Sequence, residues 1–138
     1  MISEEPIKVF NVTLKDTNKV VQVYSLNFEG NAGIGLGLDG EFKILRDENI
    51  ALVEEDTLKD PILNSLFVKY RHLEAINLEI QEKVAEKGYL IDSKKLSEED
   101  TQKTYDELGK ILEEFSENNS KKICILNELQ ELHNKNLN

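Results

Sequence analysis

The hydrophobic pattern of the chain changes its period near residue 58. Before that point apolar and polar residues alternate, as they do along β-strands, whose successive side chains point to opposite faces. A first strand is predicted at Ile7–Leu14 and a second at Val20–Phe28. Polar residues at Asp16–Lys19 separate them and have the composition of a tight turn. The two strands are therefore predicted to form a β-hairpin.

A third strand is predicted in the glycine-rich stretch 30–40, where apolar residues alternate strictly with glycines. Asp39-Gly40 follows it and is typical of a type I′ turn, which requires a positive φ at both central residues. Glu41–Leu45 is the predicted returning strand, and Ile50–Val53 a further one. We expect an antiparallel β-meander of four or five short strands.

From Asp60 onward the apolar residues recur at helical spacing. Asp60 is suited to the N-cap and Pro61 to the first helical position, where its missing N–H costs nothing. The residues of this segment that recur every seven positions are Leu66, Leu73 and Ile80. Gly88 is the predicted C-cap, so the helix should end near residue 87. A helix of that length measures about 40 Å, which is longer than a small sheet is wide.

Ser97 is the predicted N-cap of a second helix. Its apolar stripe comprises Tyr105, Leu108, Ile111, Leu112 and Phe115. No apolar residue occurs in 116–122, so we expect the helix to bend or break near Asn118-Asn119. The alternative is one continuous helix, because the seven-residue spacing stays in phase across this stretch and reaches Leu126 and Leu129.

These patterns together predict an α+β fold, with an antiparallel sheet followed by a long helical hairpin. Residues 1–58 would form the sheet subdomain and residues 59–138 the helical, coiled-coil-like region, both within one structural unit.

Composition narrows the classes of partner and the compartment. The 138 residues include 27 acidic and 17 basic side chains, a net charge of −10, which disfavours nucleic-acid backbones and anionic lipid. No apolar run approaches the ~20 residues that span a bilayer, and 1–6 lack the features of a secretory signal. One cysteine suits a reducing compartment. We expect a cytoplasmic protein of a bacterium or a phage-infected host, because the residue usage is typical of an AT-rich genome.

Catalytic chemistry is weakly represented. The run Gly33-x-Gly35-x-Gly37 partly resembles a dinucleotide-binding loop, but a turn and a strand follow it where that motif needs a helix. His72 and His133 stand apart from other metal ligands, and Cys124 has no catalytic neighbour, so partial burial is expected for it. We expect no enzyme activity, no catalytic or metal-binding residue and no cofactor.

The apolar stripes of the two helices and the acidic residues are the remaining features that indicate a function. The stripes either pack within the chain or associate with another copy, and we expect self-association because the helices are longer than the sheet. The residues predicted for it are Leu66, Leu73, Ile80, Leu108, Leu112, Phe115, Leu126 and Leu129. Glu113, Glu114 and Glu117 form a predicted acidic face that would bind a partner protein with a basic surface.

We therefore expect a homo-oligomeric interaction protein with an accessory or inhibitory role, such as a phage-encoded regulator. One alternative is a small-ligand site in the glycine-rich hairpin, at Gly33, Gly35 and Gly37. A second alternative is a small enzyme whose active site follows no recognisable motif.

Overall fold

A computed structural model gives the fold and describes residues 6–137. Within these residues a five-stranded antiparallel sheet precedes two long helices, which confirms the predicted α+β fold with a helical hairpin. The elements are β1 (Lys8–Leu14), β2 (Val20–Glu29), β3 (Ala32–Gly37), β4 (Phe42–Arg46), β5 (Ile50–Thr57), α1 (Pro61–Asp92) and α2 (Glu98–Leu137).

The sheet has the strand order β4-β3-β2-β1-β5. The first four strands follow the order of a meander, and β5 pairs with β1 at the opposite edge. Only a short 3-10 helix, Asp47–Asn49, connects β4 to β5. Four peptide steps reach at most about 15 Å, whereas a flat five-stranded sheet separates its edge strands by about 19 Å. The sheet must therefore curl until its two edges approach each other at this connection.

The inner face of the curled sheet carries the apolar core. Val12, Val23 and Leu45 are buried together there. Partly buried residues that pack against them are Phe10, Leu14, Val21, Leu26 and Ile50. The alternation read from the sequence for the first strand therefore does select the core face.

By contact density the chain divides into two compact units. The first comprises the chain up to Lys69 together with the residues from Cys124 onward, and the second comprises Tyr70–Ile123. In the first unit the start of α1 is fastened to the sheet, because the Ile7 N–H donates to Asn64 Oδ1 at 2.8 Å. The buried Phe67 also meets Tyr24 edge to face, with ring centroids 4.9 Å apart.

The turn between β3 and β4 differs from the predicted type I′ turn. Four residues, 38–41, separate the strands, and only Gly40 has a positive φ, of 82°. The turn packs closely on the C-terminal part of α2, where Gln130 Nε2 donates to the Gly40 carbonyl at 3.2 Å. A type I′ turn was the wrong prediction, because the loop is two residues longer than that turn needs.

The end of α1 was also predicted wrongly. Gly88 lies inside the helix, which continues to Asp92, and Lys94 adopts the left-handed conformation after it, with a φ of 57°. Ser97 does cap α2 as predicted, because the Asp100 N–H donates to Ser97 Oγ at 3.1 Å.

The expected break near Asn118-Asn119 was wrong, because α2 is continuous through both residues. Within the second unit the buried Asn118 amide donates to Asn77 Oδ1 at 3.1 Å, and Asn77 donates to Asn119 Oδ1 at 3.0 Å. The polar stretch therefore finds its partner on the facing helix and has no need to leave the helical conformation. The helix extends to Leu137, and Asn138 and residues 1–5 lie outside the described residues.

Candidate functional site

The two helices of the second unit pack antiparallel along a contact line with seven-residue spacing. Lys87 Nζ lies 2.8 Å from Glu107 Oε2 near the turn between the helices, and Lys122 Nζ lies 4.9 Å from the ring centre of Tyr70 at the other end. The asparagine contact lies between these two pairs. These contacts fix which residues of α1 and α2 stand level with one another.

Most of the residues predicted to self-associate are covered within the chain, three of them in the first unit (Leu66, Leu126 and Leu129) and the others along the contact line of the second. Leu66, Ile80 and Leu129 are buried within the single chain, and four others are half-buried: Leu73, Leu108, Phe115 and Leu126. Leu112 is the exception, with 47% of its surface exposed. Packing within the chain therefore explains much of the seven-residue spacing, and self-association through these residues stays a prediction.

A second side of the same helix pair is exposed and mostly uncharged, with Glu74 of α1 as the one carboxylate in its middle. We call it the open face. Its large members are Leu78 of α1 and Tyr105, Leu112 and Ile123 of α2, each exposed over 47–59% of its surface. Its smaller members are Gln81, Ala85 and Gly88 of α1 and Gly109 and Ser116 of α2. Helical spacing places all of them on one side, next to the contact line.

The two glycines of the open face have no packing role within the chain. A Cβ added at Gly88 or at Gly109 would meet nothing within 4 Å. Both lie in helix interiors, where glycine is less favourable than alanine by about 1 kcal/mol. The chain therefore keeps two helix-weakening residues at places where its own side chains leave room.

Sequence reasoning missed the open face, although a signal for it exists. Along α2 the residues at spacings of three and four carry no charge over several turns. They are Gln102, Tyr105, Gly109, Leu112, Ser116, Asn119 and Ile123. The sequence pattern groups Tyr105 and Leu112 in the same apolar stripe as Leu108 and Ile111, because these residues are neighbours on the helix. A helix with two adjacent uncharged stripes presents contact surfaces in two directions.

The predicted acidic face is exposed, as a binding surface must be. Glu113, Glu114 and Glu117 are each open to solvent. Helical spacing places Glu114 and Glu117 away from the open face and Glu113 at its margin. Glu107, six residues before Glu113, pairs with Lys87, and the hydrogen bond from the Lys87 ammonium lowers the pKa of the Glu107 carboxyl. No ion pair found among the described residues includes the three acidic-face carboxylates.

The glycine-rich hairpin belongs to the sheet interior. Gly33, Gly35 and Gly37 are buried. A Cβ at Gly33 would lie 3.0–3.3 Å from side-chain atoms of Leu26 and Phe28, on the neighbouring strand β2. A ligand at Gly33 would have to displace those side chains.

An ion pair anchors the end of this hairpin. Lys43 Nζ lies 2.9 Å from Asp39 Oδ2, and the Glu41 N–H donates to Asp39 Oδ1 at 3.1 Å. Burial alone raises the pKa of the Asp39 carboxyl. The hydrogen bonds from Lys43 and Glu41 outweigh burial and hold this pKa below its usual value.

A second exposed apolar area lies at the edge strand β4. Phe42 and Ile44 are 63% and 75% exposed, and Ile34 pairs with Ile44 across the strands. An open groove of about 580 Å³ adjoins it. Its lining is mixed in charge and consists of Glu29, Asn31, Ala32, Ile44, Arg46, Asp47 and Glu48.

The other candidate residues stand alone. His72 and His133 are exposed, and Cys124, expected to be partly buried, is exposed as well. Within residues 6–137 no group of three or more histidine, cysteine, aspartate and glutamate side chains is arranged to hold a metal ion. In the same range neither helix has an apolar stretch long enough to cross a bilayer.

The open face thus presents four large, half-exposed apolar side chains in the second unit, and Glu114 and Glu117 of the acidic face lie on the other side of α2. Comparison of the chain with models of protein families, with curated proteins and with solved structures found no match.

Proposed function

We propose that the protein is a non-enzymatic interaction factor that associates with itself through its helices and binds a basic partner protein on its acidic face. The observation that carries the proposal is the open face, where four large apolar side chains of one helix pair are about half exposed. Several large apolar side chains exposed on one side of a helix pair are typical of interaction sites in soluble proteins. A small protein that acts by binding to the surface of another protein would have an accessory or inhibitory role.

Self-association is tested by a pair of matched charge substitutions. Leu112→Glu places a carboxylate in the open face, and Lys121→Glu places one at an exposed position on the opposite side of the same helix. We expect light scattering to give more than one chain mass for the unsubstituted protein and for Lys121→Glu, and one chain mass for Leu112→Glu. A single chain mass for the unsubstituted protein at micromolar concentration would remove self-association from the proposal.

The acidic face is tested separately. Its three carboxylates supply a dense negative surface that complements lysine-rich and arginine-rich surfaces. Reversing Glu113, Glu114 and Glu117 to lysine should abolish binding to a basic partner protein captured from the source cell. Reversing Glu54 and Glu55 on β5, which are equally exposed, is the control and should leave binding intact. Equal binding by both variants would refute the role of the acidic face.

A further inference from the structure

We propose that a second copy of the chain covers the open face about a two-fold axis, with the two helical turns at opposite ends of a four-helix bundle. This inference rests on the proposed self-association and specifies its partner and geometry. In this arrangement α1 packs on α1 of the second copy and α2 packs on its α2, each pair antiparallel.

The contacts within one chain locate the axis. Asn77 stands level with Asn118, and Lys87 stands level with Glu107. Between these two levels, Gln81 of α1 therefore lies beside the part of α2 between Leu112 and Ser116. Residues 81 and 112–116 are also the middle of the open face along both helices. An axis through this point makes the interface self-complementary.

About this axis, large side chains meet small ones. Leu112 lies opposite Ser116 of the second copy, and Leu78 lies opposite its Ala85. Side chains of unequal size in facing positions pack better than two large ones, because the large side chain of one helix fills the space beside the small side chain of the other. The same axis brings the stretches around Gly88 and Gly109 under the second copy's helices, where the absence of a Cβ permits close approach.

Charge selects this orientation over the alternative. Arg71 and Asp92 lie on the same side of α1 as Leu78, at nearly equal distances on either side of Gln81. With the turns at opposite ends, Arg71 of each copy meets Asp92 of the other. With the turns at the same end, α1 would face α2 of the second copy, and Arg71 and Asp92 would both lie against uncharged residues.

The position of Asp92 at the end of α1 also favours a cation from the second copy next to it. Asp92 is the last residue of α1, where the helix dipole disfavours a negative charge, and the last turn of α1 contains no basic residue. Among residues 6–137 neither Arg71 nor Asp92 takes part in an ion pair. An arginine from a second copy would offset the unfavourable position of Asp92.

The area suffices for a specific dimer. From the level of Arg71 to that of Asp92 the face is about 30 Å long, and two packed helices are about 20 Å wide. The two copies together would bury about 1,200 Å², which is the lower end of the range for specific protein interfaces.

Two experiments on the full chain test the orientation. In the first, Lys95→Cys in a Cys124→Ser background carries a spin label next to the helical turn. Electron–electron distance measurements should give about 40 Å or more between the two labels of a dimer. A dimer with a distance under about 25 Å would overturn the orientation and leave the proposed self-association intact. A monomer would overturn both.

The second experiment exchanges the charges. Arg71→Asp and Asp92→Arg should each weaken dimerisation about tenfold, since each disrupts two ion pairs per dimer. The double variant should regain the affinity of the unsubstituted protein, because the pair is then reversed. A double variant as weak as the two single changes combined would refute the Arg71–Asp92 contact, whatever the effect of the single substitutions.

Discussion

Gly40 offers a quantitative test of how the sheet is held on α2. Its φ of 82° is one that an L-residue adopts at a cost of about 1–2 kcal/mol. A Cβ at Gly40 would also collide with the Leu126 carbonyl oxygen and lie 3.1 Å from the Leu129 Cβ. Overpacking of this kind adds about 1–3 kcal/mol. We expect Gly40→Ala to lower the free energy of unfolding by about 2–5 kcal/mol.

Gly30 provides a matched control for that substitution. Its φ is 60°, but a Cβ there would meet nothing within 4 Å. Gly30→Ala should therefore cost only the conformational part, about 1–2 kcal/mol. Urea unfolding followed by circular dichroism measures both variants, and the slope with urea should stay unchanged. Equal losses for the two variants would refute the close packing of the turn on α2.

Three further predictions concern the packing of the helices. Asn118→Ala should lower the free energy of unfolding by about 1–3 kcal/mol, because it leaves the buried side-chain oxygen of Asn77 without its donor. Changing both Asn77 and Asn118 to leucine should recover that loss, and urea titrations measure both variants. The pKa of Glu107 is lowered in the folded state, so the stability that its contact with Lys87 contributes is present above about pH 4.3 and lost as the pH falls further. The free energy of unfolding should therefore be higher for the unsubstituted protein than for Lys87→Gln at pH 7, and the two values should become equal in acid. Phe67→Ala should cost about 3–5 kcal/mol, seen as a lower melting temperature, because Phe67 is fully buried.

The sequence was sufficient for the local elements, because alternation and seven-residue spacing are local signals. It predicted the strands, the Asp60 and Ser97 helix starts and the contact line of α1. It failed where a distant partner decides the conformation. The polar stretch at Asn118 predicts a helix break, but the Asn77 side chain on α1 satisfies it. Gly88 misled for a different reason: glycine is typical of a helix end, yet it costs only about 1 kcal/mol inside a helix, and α1 continues to Asp92.

The candidate surfaces were predicted only in part for a similar reason. Seven-residue spacing identifies residues that pack against another helix, but it does not indicate whether that helix belongs to the same chain. The structure assigns most of that spacing to the contact between α1 and α2, and so moves attention to the adjacent side, where Tyr105, Leu112 and Ile123 stay exposed.

Sedimentation equilibrium of the unsubstituted full chain, over a concentration range that extends through the micromolar, tests the central claim most directly. If a second copy covers the open face, the mass should rise with concentration from one chain to two and stop there, because a two-fold interface is closed. A mass of one chain at every concentration would contradict the account, and so would growth well beyond two chains.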